Sequence, residues 1–258
     1  MIDSASLRIS RQMGLPGWTS RHQERLGKCR VFLAGIGGIG GVVAQYLAMA
    51  GVREMILVHE GSLELPDLNR QTLMELSGLG KSRVSQAAVR IGLQVPECRL
   101  PTIDSRVSPE LAPLVAGADL VIDARTNFEE RFLLNRLAAA ASKPLIFSAM
   151  NGMEGIVAYL RPGTGVCLEC VFPEGDPRWD PLGFPVLGAI SGAVGSLAAI
   201  LALRFLSGYD WEEEERMTAF EGMDLSTRSF VLTRNKGCRF CLDSGAGKRE
   251  RDGMEGVG

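Results

Sequence analysis

A run of glycines near the start of the chain carries a clear chemical signal. Gly35, Gly37 and Gly40 follow a short apolar stretch in the order G-x-G-x-x-G, within VFLAGIGGIGG at residues 31–41. In this motif the first glycine allows a tight turn, the second lets the backbone approach a phosphate, and the third lets a helix pack closely on a strand. The segment therefore predicts a nucleotide-binding loop, with Gly38 at the start of the following helix. A purely structural glycine turn is the alternative.

His59 and Glu60 follow the next apolar run. They occupy the position at which a dinucleotide-binding protein usually holds the ribose with an acidic side chain. His59 cannot accept hydrogen bonds as a carboxylate does, and a partly exposed loop histidine is its simpler interpretation. Glu60 could turn toward the ribose in its place. Both residues are therefore candidates for contacts with the nucleotide.

Four cysteines form two pairs with metal-ligand spacing. Cys167 and Cys170 make one C-x-x-C pair, and Cys238 and Cys241 make a second. Together they can supply the four thiolates of one tetrahedral zinc ion, with no position open for water, so the sequence predicts a structural zinc. Four reduced cysteines without metal are the alternative. A thioredoxin-like redox pair requires a helix start after a strand, which neither pair has.

The elements that must position these residues alternate along the chain. Short apolar runs predict strands, and apolar residues at helical spacing predict helices between them. Such alternation requires parallel pairing and right-handed crossovers. It predicts an α/β fold with a doubly wound, mostly parallel, Rossmann-like sheet. The predicted strands cover 30–34, 55–58, 99–103, 119–122 and 144–147, and the predicted helices cover 38–50, 81–93 and 129–141.

Changes in residue pattern divide the chain into four parts. Residues 1–27 are polar with a few apolar anchors and predict an N-terminal arm. Residues 28–150 form the nucleotide-binding, Rossmann-like region. Residues 151–243 contain strand pieces, including one at 229–233, and predict an appended C-terminal β layer with the zinc site, sharing the same core. Residues 244–258 are small and charged, and predict a disordered tail.

Charge balance and apolar content limit the classes of partner. With 28 basic and 30 acidic side chains, the chain has no broad positive field to attract nucleic acid or an anionic membrane. Residues 186–203 are uncharged and almost long enough to cross a bilayer, but Gly188, Gly192 and Gly195 favour close helix packing. The prediction there is a buried core helix. The first residues lack the pattern of a secretory signal, which predicts a cytoplasmic protein with reduced thiols.

Further motifs occur in a fixed order along nearly the whole chain. They are RISRQM from Arg8, GIGGIG from Gly35, NRQ at 69–71, MEG at 153–155, GAVGSL at 192–197 and NKGCRFC at 235–241. With these motifs the chain resembles the ThiF/MoeB/HesA family of ubiquitin-activating-like adenylyltransferases. The resemblance implies a homodimer with ATP on the glycine loop. There the C-terminal carboxylate of a small ubiquitin-fold sulfur carrier ending in Gly-Gly attacks the α-phosphorus to give an acyl adenylate.

The resemblance also implies roles for individual residues. Arg70 would hold the phosphates from within the subunit, with Asn69 and Gln71 ordering the loop around it. Arg11 matches an arginine that this family supplies across the dimer, like an arginine finger. Cations are needed there because a carboxylate is a poor nucleophile toward a highly charged nucleotide. For an isolated arginine, a solvated surface ion pair would be the simpler interpretation.

Five positions depart from the family's pattern. The family usually has aspartate where His59 and Gly61 stand and asparagine where Asp67 stands, which affects the ribose contact. It usually has lysine where Arg83 stands, and a planar guanidinium does not mimic a compact ammonium between phosphates. It usually has a magnesium-ligating aspartate where Thr126 stands, and a neutral hydroxyl is a poorer magnesium ligand. Arg83 and Thr126 are therefore the two most costly changes.

The leading functional prediction is ATP-dependent adenylation of the carrier's C-terminal carboxylate, or of a comparable carboxylate. Arg70, Arg83 and Arg11 would stabilise phosphate charge, with Mg²⁺ near Thr126, and sulfur transfer from another protein would follow. The alternative, favoured by the altered positions, is a pseudoenzyme that keeps the fold, dimer and zinc as a nucleotide- or protein-binding module. A nicotinamide-dependent oxidoreductase is supported by the glycine motif alone and is opposed by the NRQ motif and the cysteine pairs.

Overall fold

A single mixed sheet forms the centre of the protein, in a computed structural model that describes residues 7–173 and 185–243. The predicted tail at 244–258 and the first six residues of the predicted arm lie outside the described residues. In the described part of the chain, eight strands make up the sheet: β1 (Arg30–Ala34), β2 (Glu54–Val58), β3 (Thr102–Ile103), β4 (Leu120–Asp123), β5 (Leu145–Asn151), β6 (Glu154–Leu160), β7 (Arg216–Glu221) and β8 (Ser226–Val231).

The strand order is β3-β2-β1-β4-β5-β6-β7-β8. Neighbouring strands from β3 to β5 are parallel, with Val31 of β1 between Met55 of β2 and Leu120 of β4. Neighbouring strands from β5 to β8 are antiparallel, with Phe147 of β5 opposite Ala158 of β6. The appended C-terminal β part therefore continues the parallel sheet from its β5 edge.

Helices accompany the strands along the chain. Short 3₁₀ turns lie at Leu65–Asn69, Leu76–Gly78 and Pro109–Leu111. The α-helices are α1 (Ser10–Met13), α2 (Ser20–Leu26), α3 (Gly38–Met49), α4 (Arg83–Gln94), α5 (Ala112–Ala116), α6 (Phe128–Ala140), α7 (Leu168–Val171), α8 (Gly188–Ser207) and α9 (Arg239–Asp243).

The core lies on both faces of the parallel half of the sheet. Successive side chains of a strand point to opposite faces. Val31 and Leu33 pack with α3, α4 and α8, whereas Phe32 and Ala34 pack with α5 and α6. Because both faces are covered, β1 and β2 are apolar almost throughout and read as short continuous runs in the sequence. This arrangement confirms the predicted doubly wound α/β fold.

The long apolar helix α8 crosses α3 and lies against β5 and β6. Gly195 allows the close approach, because a Cβ there would lie 2.8 Å from the Ile39 carbonyl oxygen. Ile190, Val194 and Ala198 are buried in the core on the same side. By length and composition α8 is also apolar enough to cross a membrane, and 44% of its apolar window is buried inside the protein. The contact with α3 is the close packing that the glycines predict.

Several element boundaries differ from the sequence prediction. Helix α4 begins at Arg83 instead of residue 81, because Ser82 is its N-cap and accepts a hydrogen bond from the Ser85 amide at 3.5 Å. Strand β3 is confined to two residues, although Arg99 already forms a parallel bridge with Glu54. Strand β8 begins three residues before the predicted 229. The first of these shifts makes Arg83 the first residue of α4.

Candidate functional site

A cavity of about 540 Å³ opens at the carboxyl ends of β1, β2 and β4. The strand order reverses between β1 and β4, because the chain winds outward to β3 and then returns to the other side of β1. Ligands of doubly wound folds bind at such a switch point. The predicted site residues that line this cavity are Gly37, Gly38, His59, Glu60, Arg70, Gln71, Arg83 and Thr126.

The glycine loop forms one wall of the cavity. Gly35 has a φ of +97°, and a Cβ there would overlap the Ala124 backbone. A Cβ on Gly40 would overlap the Gly35 carbonyl oxygen, so both positions require glycine for the shape of the turn. Gly37 is the N-cap of α3 and Gly38 is its first residue. The first amides of a helix lack partners within the helix, so this wall suits an anion.

His59 supports the glycine loop from the end of β2. Its Nδ1 accepts a hydrogen bond from the Ile36 amide at 2.9 Å, and Arg125 Nη1 lies 3.2 Å from the same atom. Burial, together with the positive charges of Arg125 and Arg83, lowers the pKa of His59 to about 3. The ring is therefore neutral near pH 7, with its proton on Nε2. It carries a donor at a position where an aspartate would carry only acceptors.

Asp67 connects the two arginines predicted to bind phosphate from within the chain. Its Oδ2 accepts hydrogen bonds from Arg83 Nε at 3.0 Å and Nη2 at 2.7 Å, and its Oδ1 accepts one from Arg70 Nη2 at 3.1 Å. Asp67 is buried, whereas the side chains of Arg70 and Arg83 stay 22% and 17% exposed. The departures at positions 67 and 83 are therefore one structural unit, in which an added carboxylate pairs with a larger cation.

The 3₁₀ turn at Leu65–Asn69 orients Arg70. Arg70 Nη1 donates to the Pro66 carbonyl and to Asn69 Oδ1, each at 2.9 Å. Asn69 Nδ2 donates to the Val186 carbonyl at 3.3 Å, so Asn69 ties the turn to the start of α8 and lies outside the cavity lining. Gln71 is buried at the cavity wall, and its Oε1 has no hydrogen-bond partner within the described residues. A buried amide oxygen of this kind can accept from a ligand.

Charged side chains surround Thr126 on the wall that follows β4. Thr126 is exposed and lines the cavity. Beside it, Arg125 Nη2 donates to Glu130 Oε1 at 2.7 Å, and Asn127 caps α6 by accepting the Glu130 amide at 2.8 Å. Burial alone would raise the pKa of Glu130, but hydrogen bonding from Arg125 and its positive charge hold the pKa below its usual value. Glu130 is therefore an ionised partner of Arg125.

The four cysteines lie together between α7 and α9. Their Sγ atoms all lie within 4.8 Å of one another, and the Sγ of Cys167 is 3.6 Å from those of Cys170 and Cys238. Thiolates bound about 2.3 Å from a tetrahedral zinc lie about 3.8 Å apart. The prediction that the two pairs, including Cys241, form one cluster able to hold a metal ion is confirmed.

Comparison with known proteins establishes the family. Residues 9–240 match the ThiF family. The chain belongs to the ThiF family. It is 40% identical over 238 residues to "Protein HesA, heterocyst" of Trichormus variabilis, which covers 91% of this chain and 88% of the relative. It is 33% identical to the sulfur carrier protein adenylyltransferase of Thermus thermophilus, over 92% of this chain and 90% of the relative.

A solved structure shows the same fold. A crystal structure of E. coli MccB with MccA-N7isoASN matches this ThiF-family chain with a TM-score of 0.78 at 20% identity, covering 93% of this chain and 75% of the MccB chain. The likeness confirms the α/β fold with its central sheet.

Arg11 lies far from the cavity of its own ThiF-family chain. It is exposed on α1, and the neighbouring Gln12 donates from Nε2 to the Ala50 carbonyl at 3.2 Å, beside the C-terminal end of α3. The cavity adjoins the other end of α3, where Gly38 begins the helix. The 12 residues of α3 span about 18 Å. Within its own chain Arg11 therefore does not reach the cavity, and its role across a dimer stays a prediction.

Sequence reasoning missed three basic residues that line this ThiF-family cavity within the described residues. They are Arg106, Arg125 and Arg131. Arg125 stands directly before Thr126, where the resemblance leads us to expect an aspartate. A basic residue beside that substitution was the sequence signal that could have identified Arg125. Arg106 lies after β3, and its Nη2 donates to Glu129 at 2.9 Å, 23 positions away. Only the folded structure connects those two residues.

Proposed function

We propose that the protein is an ATP-dependent adenylyltransferase that activates the C-terminal carboxylate of a small ubiquitin-fold sulfur carrier ending in Gly-Gly. The observation that carries the proposal is the cavity at the switch point, in which the first turn of α3 lies beside Arg70 and Arg83. Membership of the ThiF family, and a relative named sulfur carrier protein adenylyltransferase, support this choice of reaction.

The proposed reaction uses the anion-binding wall and the arginines. The phosphates of ATP lie between the glycine loop at Gly37 and Gly38 and the guanidinium of Arg70. A carboxylate oxygen of the carrier attacks the α-phosphorus, the bond from the α-phosphorus to the bridging oxygen breaks, and pyrophosphate leaves with the electron pair. The acyl adenylate that remains is then open to sulfur transfer from another protein. Arg70 and Arg83 lower the barrier by neutralising phosphate charge and orienting in-line attack.

A homodimer completes this proposal. Arg11 is remote from the cavity within one chain, so a second copy would supply it, as an arginine finger does. The cysteine cluster would hold a structural zinc that joins α7 to α9, since four thiolates leave no position for substrate. A reducing cytoplasm keeps those thiols available for the metal, and we place the protein there.

A second candidate function is a nucleotide- or protein-binding module without turnover. The observation that favours it is Asp67, whose carboxylate already pairs with Arg70 and Arg83. The negative charge of Asp67 beside both arginines reduces the positive potential that they can offer to the phosphates in a transition state. In this alternative ATP binds and is not consumed.

Exchange of labelled pyrophosphate into ATP separates the two candidates. The purified protein is incubated with ATP, Mg²⁺, labelled pyrophosphate and candidate carriers, and the control carriers lack the final glycine. We expect exchange with an intact carrier alone. An Arg70→Gln variant should lose at least about 100-fold of the rate, whereas Arg99→Gln, whose side chain pairs with Glu54 outside the cavity, should keep it.

Two results would reject the enzyme. One is the absence of exchange with every carrier while calorimetry shows ATP binding. The other is exchange that appears only in an Arg83→Lys, Thr126→Asp double variant, which restores the usual family residues. Either result would favour the binding module.

A further inference from the structure

The wall around Thr126 does not fit a magnesium ion. Magnesium in proteins is held by oxygen ligands, usually one or two carboxylates together with waters and substrate phosphates. The acidic residues flanking Thr126 on β4 and α6 are Asp123, Glu129 and Glu130. Each of the three is paired with its own arginine, at 3.4, 2.9 and 2.7 Å respectively. The carboxylates on this wall are therefore already neutralised by guanidinium groups.

Asp123 is held inside the protein. Its side chain is fully buried, Oδ1 accepts the Arg125 amide at 2.9 Å, and Oδ2 lies 3.4 Å from Arg131 Nη1. Arg131 in turn donates to the Ser148 carbonyl at 3.2 Å and lies over the Phe147 ring. Asp123 therefore anchors the end of β4 and has no open side toward an ion in the cavity.

Glu130 is occupied on both oxygens. Oε2 accepts the Val107 amide at 2.9 Å, and Oε1 accepts Asn127 Nδ2 and Arg125 Nη2, each at 2.7 Å. Arg106 Nε lies 3.5 Å from Oε1 as well. A metal ion bound at Glu130 would have to displace these donors, which include the cap of α6. Glu130 is therefore committed to the structure of the wall.

The guanidinium of Arg125 is not fully hydrogen-bonded among the described residues, and its unpartnered Nε is buried. Its side chain is 6% exposed, and it lines the cavity. A guanidinium has five N–H donors. Nη2 donates to Glu130 and Nη1 lies 3.2 Å from His59, while Nε has no hydrogen-bond partner within the described residues. Buried donors without partners are rare, and phosphate oxygens are matched acceptors for a planar guanidinium.

The charge of the whole cavity agrees with this reading. Among the described residues, five arginines line it, namely Arg70, Arg83, Arg106, Arg125 and Arg131, against four carboxylates. His59 adds no charge, because its ring is neutral. A divalent cation next to Thr126 would lie beside the guanidinium of Arg125, and the nearest carboxylate, Glu130, already accepts hydrogen bonds on both of its oxygens.

We propose that this cavity binds the phosphates of its nucleotide without a divalent cation, and that the guanidinium of Arg125 supplies the positive charge beside Thr126. The identity of the ligand as ATP rests on the proposed function, whereas the metal-independent binding of a polyphosphate rests on the wall itself. Glu130 and His59 hold the guanidinium of Arg125 in place. Binding phosphate there therefore does not require a metal ion to lose part of its hydration shell.

Calorimetric titration in two buffers tests the proposal. ATP is titrated into the protein in EDTA and in Mg²⁺, and inorganic tripolyphosphate is titrated in EDTA. We expect the two Kd values for ATP to agree within about threefold. Arg125→Gln should weaken binding in EDTA by at least about tenfold, while Arg99→Gln, which removes the same charge outside the cavity, should leave it unchanged.

Thr126→Asp, a change at an exposed position, should make ATP binding dependent on Mg²⁺. The added carboxylate repels phosphate in EDTA, so this variant should bind ATP at least about tenfold more weakly there and recover in Mg²⁺. This response keeps the proposal testable even if Arg125→Gln fails to fold, because a change in stability alone would affect both buffers equally. Equal Kd values of Thr126→Asp in the two buffers would contradict the proposal.

The remaining outcomes separate this inference from the proposed function. Wild-type binding of ATP that is at least about tenfold weaker in EDTA than in Mg²⁺ overturns the inference and leaves the adenylyltransferase intact. Binding of tripolyphosphate in EDTA without ATP binding in either buffer supports the inference and removes the proposed function. Binding of neither ligand in EDTA overturns the inference.

Discussion

Oδ2 of Asp67 lies 3.0 Å from Nε and 2.7 Å from Nη2 of Arg83, so one carboxylate oxygen accepts two donors from the same guanidinium. Both residues are among the positions at which the family resemblance led us to expect a different residue. Their direct contact means that the two departures are coupled: the larger cation is fixed in direction by a negative charge that asparagine would not supply. The cavity thereby keeps a guanidinium in place of a compact ammonium.

The pair should behave non-additively when it is restored to the usual family residues. Asp67→Asn and Arg83→Lys should each lower the free energy of unfolding by about 1 to 3 kcal/mol, because each weakens the charge-assisted hydrogen bonds between the two side chains. The double variant should lose at least about 0.5 kcal/mol less than the two single losses together. Urea denaturation of the four proteins measures this coupling. Strict additivity would contradict the pairing.

Gly40 and Gly92 give a matched test of the glycine loop. A Cβ at Gly40 would overlap the Gly35 carbonyl oxygen, so Gly40→Ala should cost about 1 to 3 kcal/mol of stability or more, as overpacking does. Gly92 lies in α4 with nothing within 4 Å of an added Cβ, so Gly92→Ala should stabilise the helix by up to about 1 kcal/mol. Thermal unfolding followed by circular dichroism compares them. Equal effects would mean that the loop tolerates a side chain.

His59 should make the protein less stable as the pH falls. Burial lowers its pKa from 6.5 to about 3, so below pH 6.5 the unfolded chain binds a proton that the folded protein excludes. The free energy of unfolding should then decrease toward lower pH, with a slope approaching about 1.4 kcal/mol per pH unit. His59→Gln keeps an acceptor for the Ile36 amide and does not titrate, so its stability should vary less between pH 6.5 and 5.

The comparison of the two curves isolates His59. The charged groups around it, Arg125, Arg83, Glu130 and Asp67, are the same in both proteins. Denaturant midpoints measured at half-unit pH intervals give the slopes. Parallel curves for wild type and variant would show that His59 is not held neutral by the fold.

Metal analysis should give one zinc per chain. Cys241→Ser removes one of four ligands, so the zinc content should fall and the midpoint of thermal unfolding should drop by at least about 5 °C. Cys98→Ser is the control, since Cys98 is buried near Val95 and outside the cluster. That variant should keep one zinc, whatever its midpoint. Full zinc retention by Cys241→Ser would contradict a four-thiolate site.

Mixing two inactive variants should restore activity if Arg11 acts across a dimer. An Arg11→Ala chain keeps Arg70, and an Arg70→Ala chain keeps Arg11. After subunit exchange about half of the dimers are mixed, and each mixed dimer has one complete site, so about a quarter of wild-type pyrophosphate exchange should return. No recovery, with mixed dimers demonstrated by differential tags, would assign Arg11 to its own chain or to no site.

The features that sequence predicts well here are fixed by local geometry. Gly35 and Gly40 are required by the turn itself, so their spacing alone predicts the loop. The spacing of the two cysteine pairs likewise predicts the metal-binding cluster, because each pair must present two thiolates from one short turn. The doubly wound sheet follows from apolar runs buried on both faces.

The features that sequence does not predict depend on contacts between distant segments. Arg106 meets Glu129 across 23 positions, and His59 meets the Ile36 amide across the same separation. A partly exposed loop histidine was the simpler interpretation for His59, yet its Nδ1 accepts a hydrogen bond from the backbone of the glycine loop. Nothing in the neighbouring residues encodes such pairings, because they arise only when β1, β2 and β4 align their carboxyl ends.

Helix α6 joins the two parts of the molecule that carry chemistry. Its first turn presents Glu130 to the cavity, and in the middle of the helix Asn135 Oδ1 accepts the Leu168 amide at 2.9 Å, directly after Cys167. The segment that carries Cys167 thus supports the middle of the helix whose first turn lines the cavity. For protein engineering, this support suits α6 to redesign. Ion pairs at its cavity end can be exchanged one at a time to change the preferred anion, while the contact with the cysteine segment keeps the helix in position.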